Sequence, residues 1–228
     1  MSDADAPGPT VTTHLRAAWE PHKERLAAGD ARHPTNIRVH RALSWLDVAE
    51  AQAEDADDER LLFRWIAFNA LYNRWDDRRL EPCGDRASYE AFLGEVLALD
   101  ADGVVAGLLE EHRKLVLTLL DNSFLQGSFW KHPSLARAQR TSHRQRQEAQ
   151  QLYAAGRHAD LLRDALAPVY FLRCQLVHGA ATRGSSMNRA SLRHAGALLR
   201  WAVPVLLAVL IDRGMDEDWG TICYPPMG

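Results

Sequence analysis

Residues 60–72 read Arg60-Leu-Leu-Phe-Arg-Trp-Ile-Ala-Phe-Asn-Ala-Leu-Tyr72. Leu61, Leu62, Trp65, Ile66, Phe68, Ala70, Leu71 and Tyr72 make this stretch apolar round most of a helical girth. A helix of that kind belongs in the centre of a core rather than on a surface. The pattern predicts a helix over 60–79, ended by Glu81-Pro82-Cys83-Gly84. Asp57, Asp58 and Glu59 come just before it, where acids favour a helix N-terminus.

Helical periodicity extends in both directions. Toward the N-terminus it predicts helices over 11–28 and 37–53, with Thr35 or Asn36 as a cap between them. Toward the C-terminus it predicts helices over 89–99, with Ser88 as cap, over 104–120 as one or two pieces, and over 136–155, 159–177 and 188–211. Pro168 inside the 159–177 helix predicts a kink or a new start. Residues 124–135 read as irregular and residues 1–10 as a disordered tail. No stretch alternates with period two between hairpin turns, so no strand pair is expected. The expected fold is all-α: one helical domain over 11–228.

Composition bounds the function. Of 228 residues, 46% are hydrophobic, enough for a packed core. The net charge of −3 means that an anion-binding surface must come from local clustering. The three cysteines, Cys83, Cys174 and Cys223, form no C-x-x-C pair and read as reduced thiols. The polar, acidic start MSDADAPGPT lacks the pattern of a signal peptide. The longest apolar stretch, 201–211, contains Pro204 and is short for a bilayer. A cytoplasmic protein with no membrane partner is expected.

Common chemical signatures fail. No pair of histidines sits at metal-ligand spacing on a helix, so neither metal nor cofactor is expected. Residues 179–185 share only glycine spacing with a phosphate loop, without its lysine or preceding strand. Ser185-Ser186 has no histidine and acid in a hydrolase frame. The seven tryptophans fall mostly on apolar helix faces and read as core.

The remaining segment is Phe171-Leu-Arg-Cys-Gln-Leu-Val-His178-Gly179. Arg173 and His178 lie five apart, and Gly179 follows as a helix end requires. A five-residue step in a regular helix turns the second side chain away from the first. The pair converges only if the helix frays or kinks at its end. By spacing alone, it reads as an exposed arginine and a histidine complementing the helix dipole.

Together with the small-residue connector after it, Asn188-Arg189 opening a long helix, and Trp65–Tyr72 upstream, this segment resembles the HEPN family over roughly residues 60–213. The resemblance implies a HEPN-like helical bundle with additional N-terminal helices. It implies an R-x4-H motif of Arg173 and His178 acting as a metal-independent endoribonuclease in a defence or toxin–antitoxin context. A homodimer pairing two motifs, an RNA substrate, and an antitoxin or defence partner would follow.

In such a site an imidazole, which as a type titrates near neutrality, moves protons. A guanidinium forks onto phosphate oxygens. Asn69 and Asn188 are candidate supporting groups. Asn69 equally suits a structural hydrogen bond inside the bundle. Arg137, Arg140, Arg144 and Arg146, with Lys131, His132, His143 and Arg157 nearby, form a basic cluster that would track an RNA backbone or simply make a solvated helix face. Two positions depart from the family pattern. Cys174 stands where the family commonly has a polar residue, which favours a second reading: an inactive HEPN module that binds RNA or a protein. Ala180 stands where some members carry a modifiable tyrosine.

Overall fold

The computed structural model describes residues 10–125, 127–131, 133–186 and 188–225. The fold class is all-α, with 73% helix and 3% strand. In chain order the helices are α1 (Val11–Gly29), α2 (Pro34–Glu50), α3 (Asp57–Tyr72), α4 (Asp85–Leu99), α5 (Val104–Glu111), α6 (Arg113–Leu120), α7 (Gly127–Lys131), α8 (Leu135–Ala154), α9 (His158–Val177) and α10 (Arg189–Arg213). A 3-10 turn spans Ser123–Leu125. Of the expected tail, residues 1–9 lie outside the described residues; Thr10 caps α1 by accepting from the Thr13 N–H at 3.2 Å.

The stretch read first does sit at the centre. Trp65, Phe68, Leu61 and Leu71 of α3 are buried almost completely. The helix packs chiefly against α2 and α10. Trp65 and Phe68 join Tyr89 and Tyr170 in a set of edge-on and tilted rings at 5.5–6.3 Å. One apolar cluster runs from Leu15 of α1 to Trp219 beyond α10.

Several local expectations are corrected. The α3 helix stops at Tyr72, and a two-stranded antiparallel ribbon follows, β1 (Trp75–Asp76) with β2 (Glu81–Pro82). The cause is Asp76, whose Oδ1 accepts from the N–H groups of Arg78 and Arg79 at 2.9 and 3.1 Å. Such a local turn competes with helix. His33 caps α2, while Thr35 and Asn36 are buried within it. The Asn36 Oδ1 instead accepts from the Trp19 indole at 3.0 Å. Gly84 precedes α4, and Ser88 lies inside that helix. Residues 127–131 are helical, and Pro168 starts no new helix.

The α10 helix is longer than its apolar stretch suggested. By length and composition it could cross a membrane, but 61% of its apolar window is buried within the bundle. Its apolarity is accounted for by its place in the core.

A buried arginine and a buried aspartate knit the bundle. Arg38 of α2 is fully buried and donates to the carbonyls of Asn73, Trp219 and Gly220 at 2.5, 3.1 and 2.8 Å. It thereby fastens the C-terminal tail to the end of α3. At the other end of α3, Asp58 receives Arg189 of α10 through both oxygens at 2.6 and 2.7 Å. The same carboxylate accepts the Gly184 N–H at 2.8 Å. Burial alone would raise the Asp58 pKa. The bonds from Arg189 and Gly184 outweigh it and hold the group below its ordinary 3.8.

A folded-state pKa below the unfolded value means that this stabilisation is complete above about pH 4 and fades as pH falls through the folded value. We expect Asp58→Asn to cost about 3 kcal/mol in urea unfolding at pH 7, because it leaves a half-buried guanidinium without its partner. The gap between wild type and variant should narrow on acidification below pH 4. A cost under about 0.5 kcal/mol would remove the pair from any structural role.

Candidate functional site

The end of α9 carries the motif. Leu161, Leu162, Ala165, Leu166, Val169 and Leu172 bury one stripe of this helix. That stripe fixes which way every other side chain on α9 points. The helix stays regular to its last turn. The Gly179 N–H reaches the Leu176 carbonyl at 3.2 Å, and the Ala180 N–H reaches the Gln175 carbonyl at 2.8 Å. Gly179 has φ +69°, so the two bonds form a Schellman motif. Glycine is needed there because other residues strain at positive φ. His178 is the C-cap, with its own N–H on the Cys174 carbonyl at 3.0 Å.

The helix end does not fray, so the condition for convergence is not met within one chain, and the five-residue step turns about 140° round the helix. Arg173 faces α4. Its Nη2 lies 3.4 Å from Asp85 Oδ2, its guanidinium 5.8 Å from the Tyr170 ring, and its Nη1 3.8 Å from Cys174 Sγ. Asp85 also accepts the Tyr72 hydroxyl at 3.3 Å. Burial, reinforced by Asp85, pushes the Tyr72 phenol far above its ordinary range, so it stays a donor. Asp85 is the first residue of α4, where the helix dipole favours a carboxylate.

His178 points elsewhere and is exposed. It continues the row Phe171–Gln175 along α9, at i, i+4 and i+7. Phe171 and Gln175 wall a cleft of about 380 Å³ between the end of α9, the 179–188 connector, the start of α10 and Trp130. Arg173 and His178 make no hydrogen bond to each other. Beside His178, Val177 is an apolar side chain left 54% exposed.

The supporting asparagines part company. Asn188, at φ +63°, precedes α10 and lines the same cleft. Asn69 lines a different hollow of about 150 Å³, with Arg41, Asn73 and Cys223. Its Oδ1 is buried without a hydrogen-bond partner.

The basic cluster is partly neutralised. Arg146 pairs with Asp121 at 2.7 Å, Arg144 with Glu148 at 3.5 Å, and Arg157 with Asp160. Arg137, Arg140 and Arg144 border one open hollow on α8. His132 lies outside the described residues. Trp130 is the tryptophan that departs from the core reading, since it is exposed and edges the cleft.

Among the described residues, no three His, Cys, Asp or Glu side chains gather as a metal site. The three cysteines are free thiols. Sequence reading missed Asp85 and the Asp58–Arg189 pair, which lie 88 and 131 residues from their partners. Comparison with protein-family models, with curated proteins and with solved structures finds no match to this chain.

The Schellman geometry makes a paired expectation. Gly179→Ala should destabilise by about 1 kcal/mol, since alanine resists positive φ. Gly94→Ala, on the exposed middle of α4 with open space at its Cβ, should stabilise by about 0.5–1 kcal/mol. Equal effects of the two in thermal unfolding would contradict the left-handed cap.

Proposed function

We propose that the chain is a HEPN-type, metal-independent endoribonuclease that works as a homodimer, with His178 moving protons and Arg173 holding the scissile phosphate. The supporting observation is the placement of His178. It is exposed at the capped end of α9, on the helix whose Phe171 and Gln175 line a cleft together with Asn188. Arg173 lies a turn and a half back on the same helix, held by Asp85.

Within one chain the two groups diverge, so the reading needs a second copy. A two-fold axis beside the end of α9 would set two guanidiniums and two imidazoles around one phosphodiester. Exposed Val177 supplies apolar surface for that contact. Asp85 takes one edge of the guanidinium, and the remaining N–H groups are those that would meet phosphate oxygens.

In the reaction, the substrate 2′-oxygen bonds to phosphorus as one imidazole accepts its proton. The bond from phosphorus to the 5′-oxygen breaks as that oxygen takes a proton from the other imidazole. The products are a 2′,3′-cyclic phosphate and a 5′-hydroxyl. Arg173 offsets the charge that builds on the non-bridging oxygens. An RNA substrate, cytoplasmic action and restraint by an antitoxin or defence partner belong to the same proposal.

A second reading is a non-catalytic module that binds RNA or a protein. Two features favour it: Arg173 is already satisfied by Asp85, and Cys174 follows it in place of a polar residue.

Incubation with total RNA in EDTA decides between them. We expect cleavage to fall at least about a hundredfold in both Arg173→Ala and His178→Ala. Sedimentation should give a dimer for all three proteins. Undiminished cleavage by both variants would end the catalytic assignment. A mobility shift without cleavage would favour the binding module.

A further inference from the structure

A second set of arginines lies away from the motif, on the contact between α3 and α10. Arg60 and Arg64 sit one turn apart on α3, and Arg193 and Arg200 two turns apart on α10. All four line one hollow of about 140 Å³, together with Asp57 and Gly196. Helical spacing makes this so: i, i+4 on one helix faces i, i+7 on its neighbour.

Arg64 is 5% exposed and donates Nη1 to the Gly196 carbonyl at 3.0 Å. Arg60 donates to the Glu54 carbonyl at 3.2 Å, and its Nε is buried with no partner. Among the described residues, none of the four makes an ion pair, although most other arginines of the chain do. Asp57, the one acid in the lining, is 3.8 Å from Arg189. Glu50 is the other carboxylate within their electrostatic reach; burial raises its pKa, while Arg64 and Arg200 draw it down. Burial, then the charges of Arg60 and Arg200, lower the Arg64 guanidinium to about 10. It therefore stays charged at neutral pH in a place that opposes its charge.

Buried charge without a counter-charge is costly, and like charges on one helix face repel. Asp57 and Glu50 answer four guanidiniums around a small volume only in part, which leaves a place for a further anion. We propose that this hollow is a phosphate-binding site, which takes a single phosphate group, free or borne on a nucleic-acid backbone.

The hollow, about 140 Å³ and open to solvent, has room for one tetrahedral oxyanion. Planar guanidinium forks match oxygens spread in several directions. The site involves neither Arg173 nor His178, so it stands apart from the nuclease reading.

The test compares sodium phosphate with sodium chloride at equal ionic strength, by thermal shift and calorimetry. Phosphate should raise the melting temperature of the wild type beyond chloride. The double variant Arg193→Gln/Arg200→Gln changes only exposed side chains and should keep the wild-type circular dichroism. It should bind phosphate about tenfold or more weakly. Arg79→Gln, which removes an exposed arginine outside the hollow, should bind phosphate as wild type does. A short single-stranded RNA identifies the source. Binding that phosphate competes away and the double variant weakens assigns a backbone phosphate; phosphate binding that RNA leaves untouched assigns the free ion. Phosphate no better than chloride, or equal binding by the double variant, overturns the proposal.

Discussion

The bidentate pair between Asp58 and Arg189 sets most of what this molecule presents to its surroundings. It joins the first turn of α3 to the first turn of α10 and, through the Gly184 N–H, fastens the connector that leads from α9 back to α10. Two helices clamped at one end have a fixed register along their whole contact. That register brings Arg60 and Arg64 level with Arg193 and Arg200. The same clamp determines where the 179–188 connector lies, and with it one wall of the cleft beside α9. A buried ion pair is often neutral in net stability. Here its value is positional: removing either partner would free two helix ends and a loop together.

The last turn of α9 shows how a local rule can decide a functional question. The Gly179 cap keeps the helix regular to His178, and a regular helix separates residues five apart by about 140°. Arg173 is thereby committed to Asp85 of α4 and the Tyr170 ring of its own helix, while His178 is exposed. A single chain thus divides its two candidate groups between an internal contact and the surface. Chemistry that needs both must recruit another copy, or else only one of them works.

What the sequence revealed followed the range of the forces concerned. The burial of α3 was legible because its apolar residues leave almost no polar face. The end of α9 was legible because Gly179 answers a backbone requirement within three residues. The break after Tyr72 was not, since Asp76 redirects the chain through bonds to Arg78 and Arg79 that compete with an otherwise helical pattern. The caps of α2 and α4 were misplaced because Thr35, Asn36 and Ser88 are good capping residues by type, yet Asn36 accepts from Trp19 and the Ser88 hydroxyl donates back to the Gly84 carbonyl. Asp85, the partner of Arg173, was invisible because nothing in a linear pattern pairs residues 88 apart. The arginines of α3 and α10 left a signal that could have been read: charged residues at i, i+4 and i, i+7 on helices otherwise apolar.

The contrast between Arg38 and Arg64 shows why that second signal matters. Both are buried guanidiniums, and burial lowers both to about 10. Around Arg38 the chain supplies carbonyl oxygens from the end of α3 and from the C-terminal tail to both Nη groups, while Nε stays buried without a partner, and its role is to hold the tail. Around Arg64 it supplies one carbonyl, Asp57 and Glu50 against three further guanidiniums. Structural need explains the first arrangement fully. It does not explain the second, because a neutral side chain at residue 64 would pack between α3 and α10 without self-repulsion. A net charge of −3 hides this concentration of positive charge, since acids and bases are distributed unevenly over the surface. Where a fold gathers more cations than its neighbouring acids answer, the further counter-charge is best sought outside the chain.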